Sequence, residues 1–181
     1  MARAQKAAAH DLGRELAESY LLNDQMNQLV LRHLDPLAWR GKLPRDRGRT
    51  IAAIFSHMHN VRRKWLRLSA PHLKLPAPMD RSRCTQEQAG QALAESAARL
   101  AEMFIDALVH RQVETFRRDG LAKPWQAGAA MAAYMIAHDA HHRGQACMLA
   151  RQLGFPLRGE GAYGIWAWER LCKRYGFPHL L

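Results

Sequence analysis

Ala137-His138-Asp139-Ala140-His141-His142-Arg143-Gly144-Gln145 lies inside a segment, Pro124 to Leu153, whose apolar spacing predicts one long helix. At about 100° per residue, His138 and His142 stand one turn apart on one face, a spacing at which two imidazoles can hold a single metal ion. The same face carries Met131, Tyr134, Met135, Gln145, Leu149 and Leu153, so both histidines are expected to point into a core. Neutral imidazoles in an apolar interior need partners, because a buried polar group without one is costly. A shared ion meets that need.

Outward from this helix, the chain predicts three more. The first runs from near Asp11 to Leu34, with Leu12, Leu16, Tyr20, Met26, Leu29 and Val30 as apolar positions, and stops before Pro36. Its polar residues Asn23, Asp24, Gln25, Asn27 and Gln28 fit either a wet surface or a layer behind a site. The second, to about Leu68, has Thr50 as N-cap and an apolar face of Ile51, Ile54, Met58, Val61 and Trp65. His57 falls between Ile54 and Val61 on that inward arc. His59, about 200° from His57, is expected on the other side. Thr85-Gln86-Glu87-Gln88 is a capping-box pattern opening a third helix to about Arg117, striped by Leu93, Ala97, Leu100, Phe104 and Leu108. Pro124 suits the first turn of the fourth, and Gly154-Phe155-Pro156 ends it. Proline and glycine mark the connections, Pro36 to Gly48 and Pro71 to Pro78. The aromatic tail Tyr163 to Trp168 predicts a short helix over one end, and nothing reads as a strand. The expectation is an all-α fold, a four-helix bundle whose facing core positions build the site.

Composition narrows the function. A chain of 181 residues, 48% apolar and without a linker-like tract, suits one domain over residues 1–181. The longest apolar run, Ala127 to Ala137, is well short of the roughly 20 residues of a membrane span. The basic stretch Met1 to Ala7 leads into no hydrophobic signal core, so a cytoplasmic protein is expected. Cys84, Cys147 and Cys172 form no CxxC pair and read as reduced thiols, and Cys147 faces away from His138. A net charge of +11 invites a nucleic-acid reading, but the basic residues are scattered. The densest cluster, Arg62-Arg63-Lys64 with Arg67, fits the wet face of one helix.

A third inward imidazole from the second helix completes a triad of His57, His138 and His142. Three nitrogens at about 2.0–2.1 Å leave a divalent ion room for water or substrate, as catalytic sites do. Zinc is the first expectation, and nickel, iron, manganese or copper also accept imidazoles. His141, about 60° off the face, belongs at the rim or behind a ligand. Asp139 reads as a partner behind a ligand or as an ion pair with Arg143, and Gln145 as an orienter of a ligand or water. Gly144 faces away from His138 and suggests close approach of a neighbouring helix.

Taken together, Ile54-Phe55-Ser56-His57-Met58-His59-Asn60-Val61-Arg62 with Trp65, His138-Asp139-Ala140-His141-His142-Arg143-Gly144-Gln145, and the closing Tyr163-Gly164-Ile165-Trp166-Ala167-Trp168-Glu169 resemble the DinB-like (DinB/YfiT) superfamily of metalloenzymes over nearly the whole chain. The resemblance implies an up-down-down-up four-helix bundle, commonly a homodimer. It also implies a divalent ion on three histidines, carried over as His57, His138 and His142. Some members transfer low-molecular-weight thiols or isomerise substrates with a thiol cofactor. The strong positive charge is outside the family pattern and could favour an anionic substrate or an acidic partner. The expected function is a metal-dependent enzyme, a thiol transferase or a hydrolase, activating a low-molecular-weight thiol or water against a small electrophilic substrate. The alternatives are a non-catalytic metal-binding or stress-response bundle and a basic nucleic-acid-binding protein.

Overall fold

The computed structural model describes residues 11–44, 48–177 and 180. The basic stretch from Met1 to Ala7 lies outside them. Four long helices dominate: α1 (Leu12–His33), α2 (Ile51–Ser69), α3 (Gln86–Leu108) and α4 (Ala129–Gln152). The first three begin at side-chain caps, while α4 follows Gly128 without one. Asp11 accepts from Arg14 N, Thr50 from Ala53 N, and Thr85 and Gln88 form the reciprocal capping box. Each cap satisfies first-turn N–H groups that have no carbonyl partner within the helix.

Helix α1 packs on α3 and α4, and α2 packs on the same two helices. The interior has two main apolar clusters. Tyr20, Trp65, Phe104 and Phe116 anchor one, and Phe55, Met58, Leu93 and Leu149 anchor the other. The α2 face expected to be apolar is buried throughout, as are Leu93, Ala97, Leu100 and Phe104 of α3. At the start of α1 the stripe fails, since Leu12 is exposed.

The connection from α3 to α4 corrects the sequence reading. Helix α3 stops at Leu108 rather than near Arg117, and α4 starts at Ala129 rather than Pro124. Between them Thr115–Phe116 (β1) and Trp125–Gln126 (β2) pair antiparallel, Thr115 with Gln126 and Phe116 with Trp125. Arg111 with φ 58° and Gly120 with φ 78° make the left-handed turns that a continuous helix would not permit. Phe116 is fully buried against Phe104, so core packing favours the strand over continued helix.

The tail departs as well. It folds as α5 (Glu160–Tyr163), a 3-10 turn (Gly164–Trp166) and α6 (Trp168–Tyr175). Of these, Leu171 and Cys172 pack on Leu22 and Met26 of α1. The aromatics do not fold inward: Tyr163 and Trp166 are 76% and 75% exposed. Among the described residues no helix is long and apolar enough to cross a membrane.

Candidate metal centre

Helix α2 delivers His57, and α4 delivers His138 and His142. Ring centroids lie 5.4 Å apart for His57–His138, 4.7 Å for His57–His142 and 4.5 Å for His138–His142. One nitrogen from each ring lies within 4.8 Å of the other two. Nitrogens bonded to one ion at about 2.0–2.1 Å are roughly 3–4 Å apart, so the cluster stands near coordination spacing. His142 is buried, while His138 and His57 are half-buried. The triad therefore sits at the edge of the core, with His57 opening onto a cavity of about 320 Å³.

The surroundings of His57 and His142 favour the neutral ring. Burial, then the positive field of Arg49 and the two neighbouring histidines, pushes His57 down to about 4. Burial also lowers His142, against the pull of its hydrogen bond to Gln145, with His138, His141 and Arg49 adding to the lowering. Neutral imidazole is the form that ligates a cation.

The residues behind the rings set which nitrogen faces inward. His142 Nδ1 lies 2.7 Å from Gln145 Oε1, to which it can donate, leaving Nε2 free for the ion. His138 Nδ1 faces Asp139 Oδ1 at 3.6 Å, too long for a hydrogen bond but near enough for the dipole of an Nδ1–H to favour the carboxylate. Both atoms are buried without another partner among the described residues. The His57 ring makes no hydrogen bond among the described residues, only the two ring contacts with the other histidines. A cation shared by the rings would occupy the polar capacity left open here. This donor set fits a divalent metal.

Asp139 carries more than the sequence suggests. Its Oδ2 accepts from Arg62 at 2.6 Å, Asn23 at 3.2 Å and Asn27 at 3.3 Å. The expected Arg143 ion pair does not form. Arg143 reaches instead to the side-chain oxygens of Asn23 and Asn27, at 3.0 and 2.7 Å. Arg62, read from sequence as part of a wet face, is wholly buried. It also binds Asp24 Oδ1 at 2.8 Å and the Leu93 carbonyl at 2.8 Å. Burial alone would raise the Asp139 carboxyl; Arg62 first, then His138, hold it below the ordinary range. Burial would also lower Arg62, but Asp139, Tyr20 and Asp24 raise it instead. Arg62 and Arg143 balance Asp24 and Asp139, and so the layer carries buried charge without net charge.

His59 is also inside, contrary to the expected outward placement. It turns toward α3, with Nδ1 2.9 Å from the Ala92 carbonyl and Nε2 2.8 Å from the Ala77 carbonyl. His141 stands exposed at the rim, its ring 5.0 Å from His142, lining a cavity of about 580 Å³ with Gln145. A Cβ at Gly144 would meet nothing within 4 Å, so no helix approaches there. That residue instead lines both this cavity and a larger one of about 910 Å³ that extends toward Trp166.

The family comparison adds one decisive observation: the sequence model of the DinB family matches residues 3–160. The chain belongs to the DinB family. Comparison with curated proteins and with solved structures returns no match. Within this DinB member, the matched region contains all three histidines and the whole Arg62–Asp139 layer. From sequence Arg62 reads as surface, and Asn23, Asp24 and Asn27 stay open between a wet surface and a layer behind a site. The signal available for them was an arginine within an apolar helix face and three amides or acids clustered in one stretch of α1.

Proposed function

We propose that this DinB-family protein is a divalent-metal-dependent enzyme holding its ion on His57, His138 and His142. It would activate a low-molecular-weight thiol or water against a small electrophilic substrate. The observation supporting this most strongly is the convergence of three imidazoles whose ring nitrogens lie within 4.8 Å of one another, with His57 opening onto a cavity. An ion held this way supplies Lewis acidity, lowering the pKa of a thiol or water it binds. Zinc remains the first candidate, with nickel, iron, manganese and copper compatible with the donors.

The chain's own groups have separable roles in this reading. Gln145 Oε1 fixes the tautomer of His142, and Asp139 Oδ1 favours a proton on His138 Nδ1. The Arg62 layer holds Asp139 ionised and stationary. His141, exposed at the rim on an adjoining cavity, would exchange a proton between substrate and solvent. Thiol transfer is the more specific version and hydrolysis the broader one.

The architecture proposed to carry this site is one domain, an up-down-down-up four-helix bundle. The packing of α1 and α2 each against α3 and α4 favours it. We also propose that a second copy covers the exposed aromatic face around Tyr163 and Trp166, giving a homodimer in the cytoplasm. Light scattering of the purified protein tests that; a monomer at working concentration would remove it.

Elemental analysis tests the ligand assignment. His142→Ala should lose most bound metal while circular dichroism stays helical, and full occupancy in that variant would refute it. A non-catalytic metal staple is the second reading, since the same triad joins α2 to α4. Chelation separates the two. A large fall in melting temperature with no turnover of any thiol and electrophile pair would favour the staple. Nucleic-acid binding predicts affinity falling steeply with salt.

A further inference from the structure

The entrance to the triad is strongly cationic, and the metal ligands play no part in making it so. Arg49 lines the cavity beside His57 and also the cavity beside His141 and Gln145. A third cavity, of about 470 Å³, continues from there and is lined by Arg40, Lys42, Arg49 and Arg81. Arg81 in turn lines the His57 cavity. The three cavities thus share residues and surround one approach to the site.

Among the described residues, the three linings bring together four cationic side chains, Arg40, Lys42, Arg49 and Arg81, and one carboxylate, Asp80. Asp80 is occupied: its Oδ1 accepts from Ser82 N at 2.8 Å and Ser82 Oγ at 2.6 Å. Arg40 donates to the Cys84 carbonyl at 2.7 Å, a neutral partner that fixes its position, and Asp80 offsets its charge only from beyond ion-pair distance. Among the described residues no ion pair reaches Arg40, Lys42, Arg49 or Arg81. The amino end of α2, with Thr50 and Ala53 in the same linings, adds its positive dipole. Like charges gathered around a concave approach repel one another, and an anion relieves that repulsion.

We propose that the molecule acted on at this centre carries an anionic group, a carboxylate or a phosphate, seated between Arg49 and Arg81 beside His57. The inference rests on the metal-centre reading for its choice of site, and it names the substrate class of that site. Guanidinium groups bind both anions through paired N–H donors, which positions the rest of the molecule toward the triad.

Isothermal titration with inorganic phosphate and with succinate tests this at physiological salt. It is run on metal-loaded and on chelated protein, because a bound ion would itself attract anions. Wild type should bind at least one of the two saturably in the chelated form. Arg49→Gln/Arg81→Gln should weaken that binding about tenfold or more with metal content unchanged. Lys173→Gln/Arg174→Gln removes the same charge from α6 and should leave binding as it was. Preference for phosphate points to a phosphorylated molecule, and preference for succinate to a carboxylate. Binding of neither anion, equal binding by the Arg49/Arg81 variant, or equal loss in the α6 variant overturns the proposal. Wild type without metal but with the expected anion pattern would remove the metal reading and leave the anion seat standing.

Discussion

His57 and His59 lie two residues apart on α2, yet they belong to opposite kinds of polar site. Both nitrogens of His59 lie within 2.9 Å of backbone carbonyls, and its ring is sealed inside the helix packing. His57 has no hydrogen-bond partner among the described residues; its ring meets two other imidazoles beside a cavity. A buried ring whose one N–H is met by the protein's own carbonyl contributes to the fold. A ring whose neighbours are other donors awaits something the protein does not supply. The same contrast recurs on α4, where Asp139 is gripped by α1 and α2 while the adjacent His138 turns toward the triad.

The sharpest way to break this comparison is to remove the centre of the buried polar layer around Asp139. Arg62→Ala leaves Asp24 and Asp139 buried without their shared cation, and is expected to cost about 3–5 kcal/mol in urea unfolding. A loss under about 1 kcal/mol would show that the layer is not structural in the sense argued here. Next in size is Asp139→Asn, which touches both sides of the comparison. Metal affinity should fall by roughly 10- to 100-fold in a competition titration, because the carboxylate behind His138 is lost. Unchanged affinity would separate Asp139 from the metal centre altogether.

A smaller effect follows from acid. His57 is held near 4, below its ordinary 6.5, so the unfolded chain takes up a proton at a higher pH than the folded one. Stability of the metal-free protein should therefore fall as pH drops from about 6.5 toward 4, and be insensitive to this group above that window. Urea midpoints in chelator at successive pH values measure it; a midpoint that rose on acidification would reverse the assigned sign. Smallest is Gln145→Ala. It removes only the tautomer-fixing contact to His142 and should weaken metal binding severalfold, within the lower part of the range for such partners.

Much of the helical framework was legible because caps and apolar periodicity are local signals: Asp11, Thr50 and Thr85 each begin a helix as their chemistry predicts. That these three histidines meet could be read because an i, i+4 histidine pair and one inward histidine each follow from helical geometry. The burial of Arg62 could not be read, since a guanidinium enters a core only when distant residues supply its partners. Asp24 and Asp139 lie 38 and 77 positions away in sequence. His59 misled for a related reason. Its side of α2 faces α3 rather than water, and a single helix's periodicity does not reveal a second packed neighbour. The short hairpin escaped because Phe116 gains burial in the core only once α3 has ended at Leu108.

The most direct test places the two neighbouring histidines side by side. Metal per chain is measured by elemental analysis in wild type, His57→Ala and His59→Ala, with unfolding followed on the same chelated samples. The account predicts that His57→Ala loses most of the metal with apo stability changed by less than about 1 kcal/mol. It predicts that His59→Ala keeps the metal while losing about 1–3 kcal/mol of stability. Metal retained in His57→Ala, or lost equally from a folded His59→Ala, would contradict it.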